Sequence, residues 1–228
     1  MRIAILGSGG VGGYFGGRLA AAGDEVTFVA RGAHLAAMRE RGLRLLSPNG
    51  DLHLPRVHAT DDASGIGPVD VVFFTVKVYD TESVLAMLPG LVGPDTVVVP
   101  FQNGVDAVDT LTPALGARHV AGGTTYIVAT IESPGVIRHT ALGRLVFGPL
   151  HEAQRPMLER LLERCRAAGV DAALSDRILT EIWMKFARLT VFSGMTSVTR
   201  CPLGVIREDP DLWAMFQRAI AESVAGSG

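Results

Sequence analysis

The residues best suited to chemistry lie near the start of the chain. Gly7-Ser8-Gly9-Gly10-Val11-Gly12 matches G-x-G-x-x-G, with the apolar run Arg2–Leu6 before it and the Gly/Ala-rich, helix-like stretch Val11–Ala22 after it. A strand that ends before such glycines and a helix that opens within them form the setting in which this spacing cradles a dinucleotide. A β-carbon at the first glycine would block the tight turn, and one at the second would hold a pyrophosphate away from the backbone. The helix N-terminus supplies N–H groups without intrahelical acceptors and a partial positive charge. Gly7, Ser8, Gly9, Gly10, Val11 and Gly12 are therefore the first candidates for cofactor binding. The competing reading is a glycine-rich turn that binds nothing. Against it, so many glycines weaken a helix without an evident packing reason in the sequence.

An NAD site usually places Asp or Glu about twenty residues further on, at the end of the second strand, to accept from the ribose 2′-hydroxyl. Val29-Ala30-Arg31 stand there instead, while Asp24 and Glu25 occupy the strand's starting end. Arg31 is placed to pair with a 2′-phosphate and no carboxylate competes for that position, so NADP is the expected cofactor; the bland alternative is a solvated cation. Lys77 closes the run Val71–Val76, and Asn103-Gly104 follow Val97–Phe101. Both sit at carboxyl ends of expected parallel strands, the edge where open α/β sheets bind ligands. By position alone each is also an ordinary turn residue. Lys185 lies at the margin of a helix face carrying Ile178, Ile182, Trp183 and Phe186, and it is spaced to pair with Glu181. With Leu189 and Ser193 it forms one stripe along that helix.

The elements that must position these residues read as alternating strands and helices. Arg2–Leu6, Val11–Ala22 and Glu25–Ala30 make a βαβ unit, and His34–Arg41 a second helix. Val69–Val76 and Thr96–Phe101 are further strands, joined through a helix near Thr81–Leu88 and a breaker at residues 90–94. Thr124–Ile131 and Val136–Phe147 flank the turn Ser133-Pro134-Gly135, an antiparallel hairpin expected at the edge of the sheet. An amphipathic helix, Gln154–Ala168, and a short strand, Val170–Leu174, close this region. The expectation is α/β, a Rossmann-type doubly wound parallel sheet in a nucleotide-binding domain over residues 1–175. An all-helical second region follows over residues 176–228, opened by a cap at Ser175-Asp176 and containing a helix at Pro210–Val224.

Composition removes whole classes of function. The chain has 228 residues, 48% hydrophobic and 19% charged, with 21 Lys and Arg against 23 Asp and Glu, a net charge of −2. That is a folded protein with no basic excess for nucleic acid or an anionic membrane. No apolar run approaches the ~18–20 residues of a membrane span, and the N-terminus reads as a strand rather than a signal peptide. Cys165 and Cys201 form no disulfide framework or zinc motif, and the histidines, His119 and His139 among them, show no metal-ligand spacing. A cytoplasmic location and no metal site are expected.

Taken together, these residues resemble the ketopantoate reductase (2-dehydropantoate 2-reductase) family along essentially the whole chain. The resemblance rests on the glycine motif, Ala30-Arg31-Gly32, Thr75-Val76-Lys77, Gln102-Asn103-Gly104-Val105, Arg138-His139 and Glu181-Ile182-Trp183-Met184-Lys185-Phe186, all in the family's order. It implies NADPH-dependent reduction of a 2-oxo acid, with 2-dehydropantoate in pantothenate biosynthesis as the leading substrate, in a cleft between the nucleotide domain and a helical domain. Lys185 would then be the general acid, while Asn103 and Lys77 would hold the nicotinamide side and the substrate's polar groups. A homodimer is compatible with this reading. The chain departs from ketopantoate-active members at Leu189, Ser193 and Leu203, where they carry asparagines, and the family's late serine and glutamate would fall beyond Gly228, so the end of the helical domain is expected to be missing. A related hydroxy-acid dehydrogenase with another substrate and a non-catalytic NADP-binding sensor or scaffold remain the alternatives.

Overall fold

The computed structural model describes residues Met1–Ala225. The first half runs β1 (Arg2–Leu6), α1 (Gly10–Ala21), β2 (Glu25–Val29), α2 (Gly32–Arg41), β3 (Leu43–Leu46), β4 (Leu52–Leu54), β5 (His58–Thr60), β6 (Val69–Phe74), α3 (Thr81–Leu85) and β7 (Val92–Pro100). The second half runs α4 (Ala107–Leu115), β8 (Gly122–Ser133), β9 (Val136–Gly148), α5 (Arg155–Ala167), β10 (Asp171–Leu174), α6 (Ile178–Thr199), α7 (Leu203–Glu208) and α8 (Pro210–Ala225). Two compact units result, Met1–Ile178 and the part from Leu179 onward.

In the first unit five parallel strands form a sheet in the order β5-β2-β1-β6-β7. Period-two alternation decides its two layers. Ile3, Ile5, Val71, Phe73, Val97 and Val99 point into one buried cluster, together with Phe15 and Leu19 of α1 and Leu158 and Leu161 of α5. Ala4, Leu6, Val72, Phe74 and Val98 point into another, with Val84 of α3 and Leu111 of α4. The sheet is buried on both faces, as the valine-rich strands require. Chain order turns back at β1: β2 and β5 build outward on one side, β6 and β7 on the other. The crevice between the carboxyl ends of β1 and β6 is thus the switch point where such sheets bind ligands.

The glycines of α1 have a packing reason after all. A β-carbon on Gly16 would stand 2.7 Å from Phe28 and 2.8 Å from Ile5, and one on Gly13 would meet Ile137 at 2.8 Å. Their absence lets α1 lie directly on β1, β2 and β9.

The hairpin is present but differently placed. The chain touches the edge of the parallel sheet through one bridge, Val98 to Val120, then leaves it at Gly122-Gly123. From there β8 and β9 join β3, β4 and β10 in a second, mixed sheet of order β10-β9-β3-β4, with β8 on the other edge of β9. Length explains the arrangement, because the 13 residues of β9 pair with β3 over Val136–Arg138 and with β10 over Arg144–Phe147. A left-handed kink at Leu142 (φ 65°) and Gly143 (φ 118°) separates the two stretches, and the His139 ring fastens it at 3.0 Å from Ala141 O and 3.1 Å from Leu142 O.

In the second unit α6 buries Val191 and Met195 with Ile206 of α7, and Leu212, Phe216 and Ile220 of α8 pack on them. Among the described residues no helix is long and apolar enough to cross a membrane.

Candidate functional site

The glycine turn leaves β1 with Gly7 at φ +98°. A β-carbon there would be strained and would stand 2.6 Å from Val76 N of the chain leaving β6. One on Gly12 would lie 2.4 Å from Gly7 O and 2.6 Å from Ile5, so the third glycine seats α1 against β1. At Gly9 an added β-carbon would meet no atom within 4 Å, so the second glycine faces open space. That contrast tests whether the turn fits a dinucleotide. Folding itself requires two of the three glycines, whereas the vacancy over Gly9 is the one that a pyrophosphate's close approach would use. Gly9 is the N-cap of α1, and the N–H groups of Gly10, Val11 and Gly12 that follow have no carbonyl behind them within the helix. Gly10 has a further reason to be glycine, since a β-carbon would collide with Ala129 O of β8 at 2.1 Å.

Ser8, together with side chains to which the sequence assigned no role, holds this turn. Gly7 N and Ser8 N donate to Val29 O at 3.2 and 3.1 Å, and Ser8 Oγ adds a third bond to the same carbonyl at 3.1 Å. Thr75 Oγ1 donates to Leu6 O and Gly7 O at 3.0 and 2.8 Å. His34, buried on α2, accepts from Gly135 N at Nδ1 (3.1 Å), which leaves Nε2 to donate to Ser8 O (2.9 Å). One imidazole thereby ties the glycine turn to the hairpin turn, whose Gly135 lies 101 residues beyond His34. Burial pushes His34 below its ordinary pKa, opposed by its bond to Ser8, so the neutral ring that this geometry needs is the favoured form. Gln102 Nε2 joins the ends of β6 and β7 by donating to Val76 O and Thr81 Oγ1, both at 2.9 Å.

Around this turn the structure gathers Arg31, Lys77 and Asn103 at the carboxyl edge of the parallel sheet, following β2, β6 and β7. All three are exposed. The expectation that no carboxylate competes for Arg31 is overturned: Asp80 Oδ1 lies 2.9 Å from Arg31 Nη2. Asp80 comes from the turn after β6, 49 residues away in the chain, so strand-end spacing could not reveal it.

Lys185 belongs to the second unit. On α6 the residues Ala187, Val191 and Met195 form the buried stripe, and Lys185, Leu189 and Ser193 lie two residues back, about 200° around the helix. Lys185 is itself half-buried. Burial lowers its pKa from 10.5 to about 8. The Cys165 thiol, sealed in the core, is pushed up to about 12, mainly by burial with a contribution from Asp24, which disqualifies it as a nucleophile. Among the described residues no cluster of His, Cys, Asp or Glu could hold a metal ion.

Comparison with known proteins gives two family matches: "Ketopantoate reductase PanE/ApbA" over residues 3–152 and its C-terminal counterpart over residues 177–227. A 2-dehydropantoate 2-reductase of Mesorhizobium japonicum is 30% identical over 246 aligned positions, covering 99% of this chain and 75% of that protein. The solved 2-dehydropantoate 2-reductase of Geobacter metallireducens superposes with a TM-score of 0.92 at 28% identity, covering 99% of this chain and 75% of that one. A ketopantoate reductase of Ralstonia eutropha gives a TM-score of 0.86 at 33% identity, over 99% of this chain and 73% of its own.

Proposed function

Since the chain belongs to the ketopantoate reductase family of NAD(P)-dependent oxidoreductases, we propose that it reduces a 2-oxo acid to the 2-hydroxy acid with NADPH, the leading substrate being 2-dehydropantoate on the route to pantothenate in the cytoplasm. The observation that carries the cofactor half of this reading is the open space over Gly9 beside two glycines that packing fixes. In the proposal the N–H groups of Gly10, Val11 and Gly12 receive the pyrophosphate, and Arg31 pairs with the 2′-phosphate. Lys77 and Asn103 hold the nicotinamide side and the substrate's polar groups.

When bound, the reduced nicotinamide supplies hydride to the carbonyl carbon. Lys185 supplies the balancing proton from Nζ to the keto oxygen, leaving a neutral amine that solvent reprotonates. A pKa of about 8 suits that task, for the group is mostly ammonium at pH 7 yet releases its proton more readily than an ordinary lysine. The stripe residue Leu189 favours a particular version of the reading. A leucine offers no donor to a substrate hydroxyl or carboxylate, so a 2-oxo acid with an apolar side chain competes with 2-dehydropantoate for this site.

The test is NADPH consumption by the purified chain, with and without 2-dehydropantoate and a panel of apolar 2-oxo acids. Oxidation that depends on a 2-oxo acid supports the proposal. Tight NADPH binding with no turnover on any member of the panel would favour a cofactor-sensing protein instead.

A further inference from the structure

Arg31 follows β2 and Asp80 follows β6, and these two strands flank β1 in the sheet. Their ion pair, 2.9 Å between Arg31 Nη2 and Asp80 Oδ1, therefore arches over the carboxyl end of the strand that carries the glycine turn. Strands two places apart lie roughly 10 Å from each other. Holding such a pair across that span fixes both side chains at the mouth of the crevice that a dinucleotide must enter.

Asp80 ends a single 3-10 turn, Val78–Asp80, that runs straight into α3; its backbone is already helical (φ −95°, ψ −6°) and its side chain makes no capping bond. Its backbone is fixed independently, with Asp80 N donating to Lys77 O at 2.8 Å and Ser83 Oγ donating to Asp80 O at 2.7 Å. The carboxylate is turned instead onto Arg31, and the Arg31 side chain is 62% exposed against 27% for Asp80. The guanidinium is thus reachable by a ligand, while the carboxylate already occupies one of its donors.

We infer that Asp80 is a specificity-determining residue of the cofactor site, an internal competitor that holds the Arg31 guanidinium against the 2′-phosphate and narrows the preference for NADPH over NADH. The inference rests on the proposed pairing of Arg31 with that phosphate. A phosphate monoester carries about −1.5 to −2 charges at pH 7. Arriving at Arg31, it meets a cation already partly neutralised and a like charge within a few ångströms, and one Nη2 donor must be shared or surrendered. NADH brings a neutral hydroxyl to the same place and meets neither penalty.

Asp80→Asn keeps the size and the Oδ1 acceptor, so Arg31 stays where it is while the charge is removed. Dissociation constants for NADPH and NADH are measured on the full chain by fluorescence titration, and 2′,5′-ADP against 5′-ADP gives the same contrast without the nicotinamide. For Asp80→Asn the expected result is NADPH and 2′,5′-ADP binding tightened about five- to tenfold at low salt, with NADH and 5′-ADP changed less than twofold. A preference for NADPH over NADH that is unchanged or weaker in Asp80→Asn, while Arg31→Ala weakens NADPH binding, overturns the inference and leaves the cofactor reading standing. Parent NADPH affinity in Arg31→Ala overturns the cofactor reading and the inference with it. In the Arg31→Ala background, Asp80→Asn should lose its effect, since the two residues act through one contact.

Discussion

Replacing Gly9 by alanine should separate binding from folding, because the glycines of the turn are glycines for different reasons. The backbone at Gly9 has φ −76° and ψ −155°, which alanine adopts, and an added β-carbon meets nothing within 4 Å. The reduced freedom of the unfolded chain contributes about 0.4–1 kcal/mol in favour of alanine, offset by alanine's weaker N-cap preference, so stability should change by less than about 1 kcal/mol. The methyl group nevertheless stands where the pyrophosphate must approach. Losing one charge-assisted N–H bond to phosphate costs about 1.5–3 kcal/mol, roughly 10–150-fold in NADPH affinity. Gly12→Ala is the opposite case: its β-carbon would lie 2.4 Å from Gly7 O and 2.6 Å from Ile5, and a backbone carbonyl inside a packed turn cannot yield. Overpacking of this kind costs about 3 kcal/mol, or about 6–12 °C of melting temperature at this chain length. Thermal unfolding without ligand, paired with fluorescence titration of NADPH, reads both quantities. A Gly9→Ala protein that binds NADPH as the parent does would refute the assignment of that open space to the cofactor.

Three further outcomes are expected. Lys185→Ala should lower turnover on a responsive 2-oxo acid by about 10²–10⁴-fold while leaving NADPH affinity within twofold, and kcat/KM of the parent should decline as pH rises through about 8, where the ammonium is lost; a flat profile with near-parent turnover in the variant returns Lys185 to a surface role. His34→Gln keeps a donor for Ser8 O but withdraws the acceptor from Gly135 N, at a cost of about 1–3 kcal/mol for the buried N–H left unpaired. Because burial depresses His34 in the folded state, its contribution is fully present above the ordinary value of 6.5 and is lost as pH falls below it, so the parent's unfolding free energy should drop on acidification by an amount the variant lacks. Leu189→Asn should shift kcat/KM toward 2-dehydropantoate relative to an apolar 2-oxo acid by about 5–150-fold, the worth of one polar group gaining its partner, and competition assays on both substrates decide it.

The sheet order was legible only in part. The strands at Arg2–Leu6, Glu25–Val29 and Val69–Phe74 announced themselves as short valine- and isoleucine-rich runs. By contrast β3, β4 and β5 hold 4, 3 and 3 residues, too few for any alternation to register. They exist because β9 and β2 offer edges to pair with, and an edge is a property of the folded sheet. The hairpin's destination was hidden for the same reason: its sequence states that two strands turn back on each other at Ser133-Pro134-Gly135, but not which sheet receives them.

At the site the division is sharper. The sequence by itself determined the glycine turn, the helix behind it and the placing of Arg31, Lys77 and Asn103 at strand ends, because strand, turn and helix are local and the spacing of the motif marks where each gives way to the next. It also placed Lys185, Leu189 and Ser193 on one stripe, since helical periodicity is local too. Tertiary structure alone decided what each of those residues meets. That α1 needs its glycines to lie on Phe28, Ile5 and Ile137, that His34 joins Ser8 to Gly135, and that Arg31 is held by Asp80 are facts about contacts between residues 11 to 124 positions apart. No periodicity encodes such pairs. They are fixed by the parallel sheet, whose crossover connections bring the ends of distant strands to one edge and so set charges and hydrogen bonds from unrelated stretches of chain against each other.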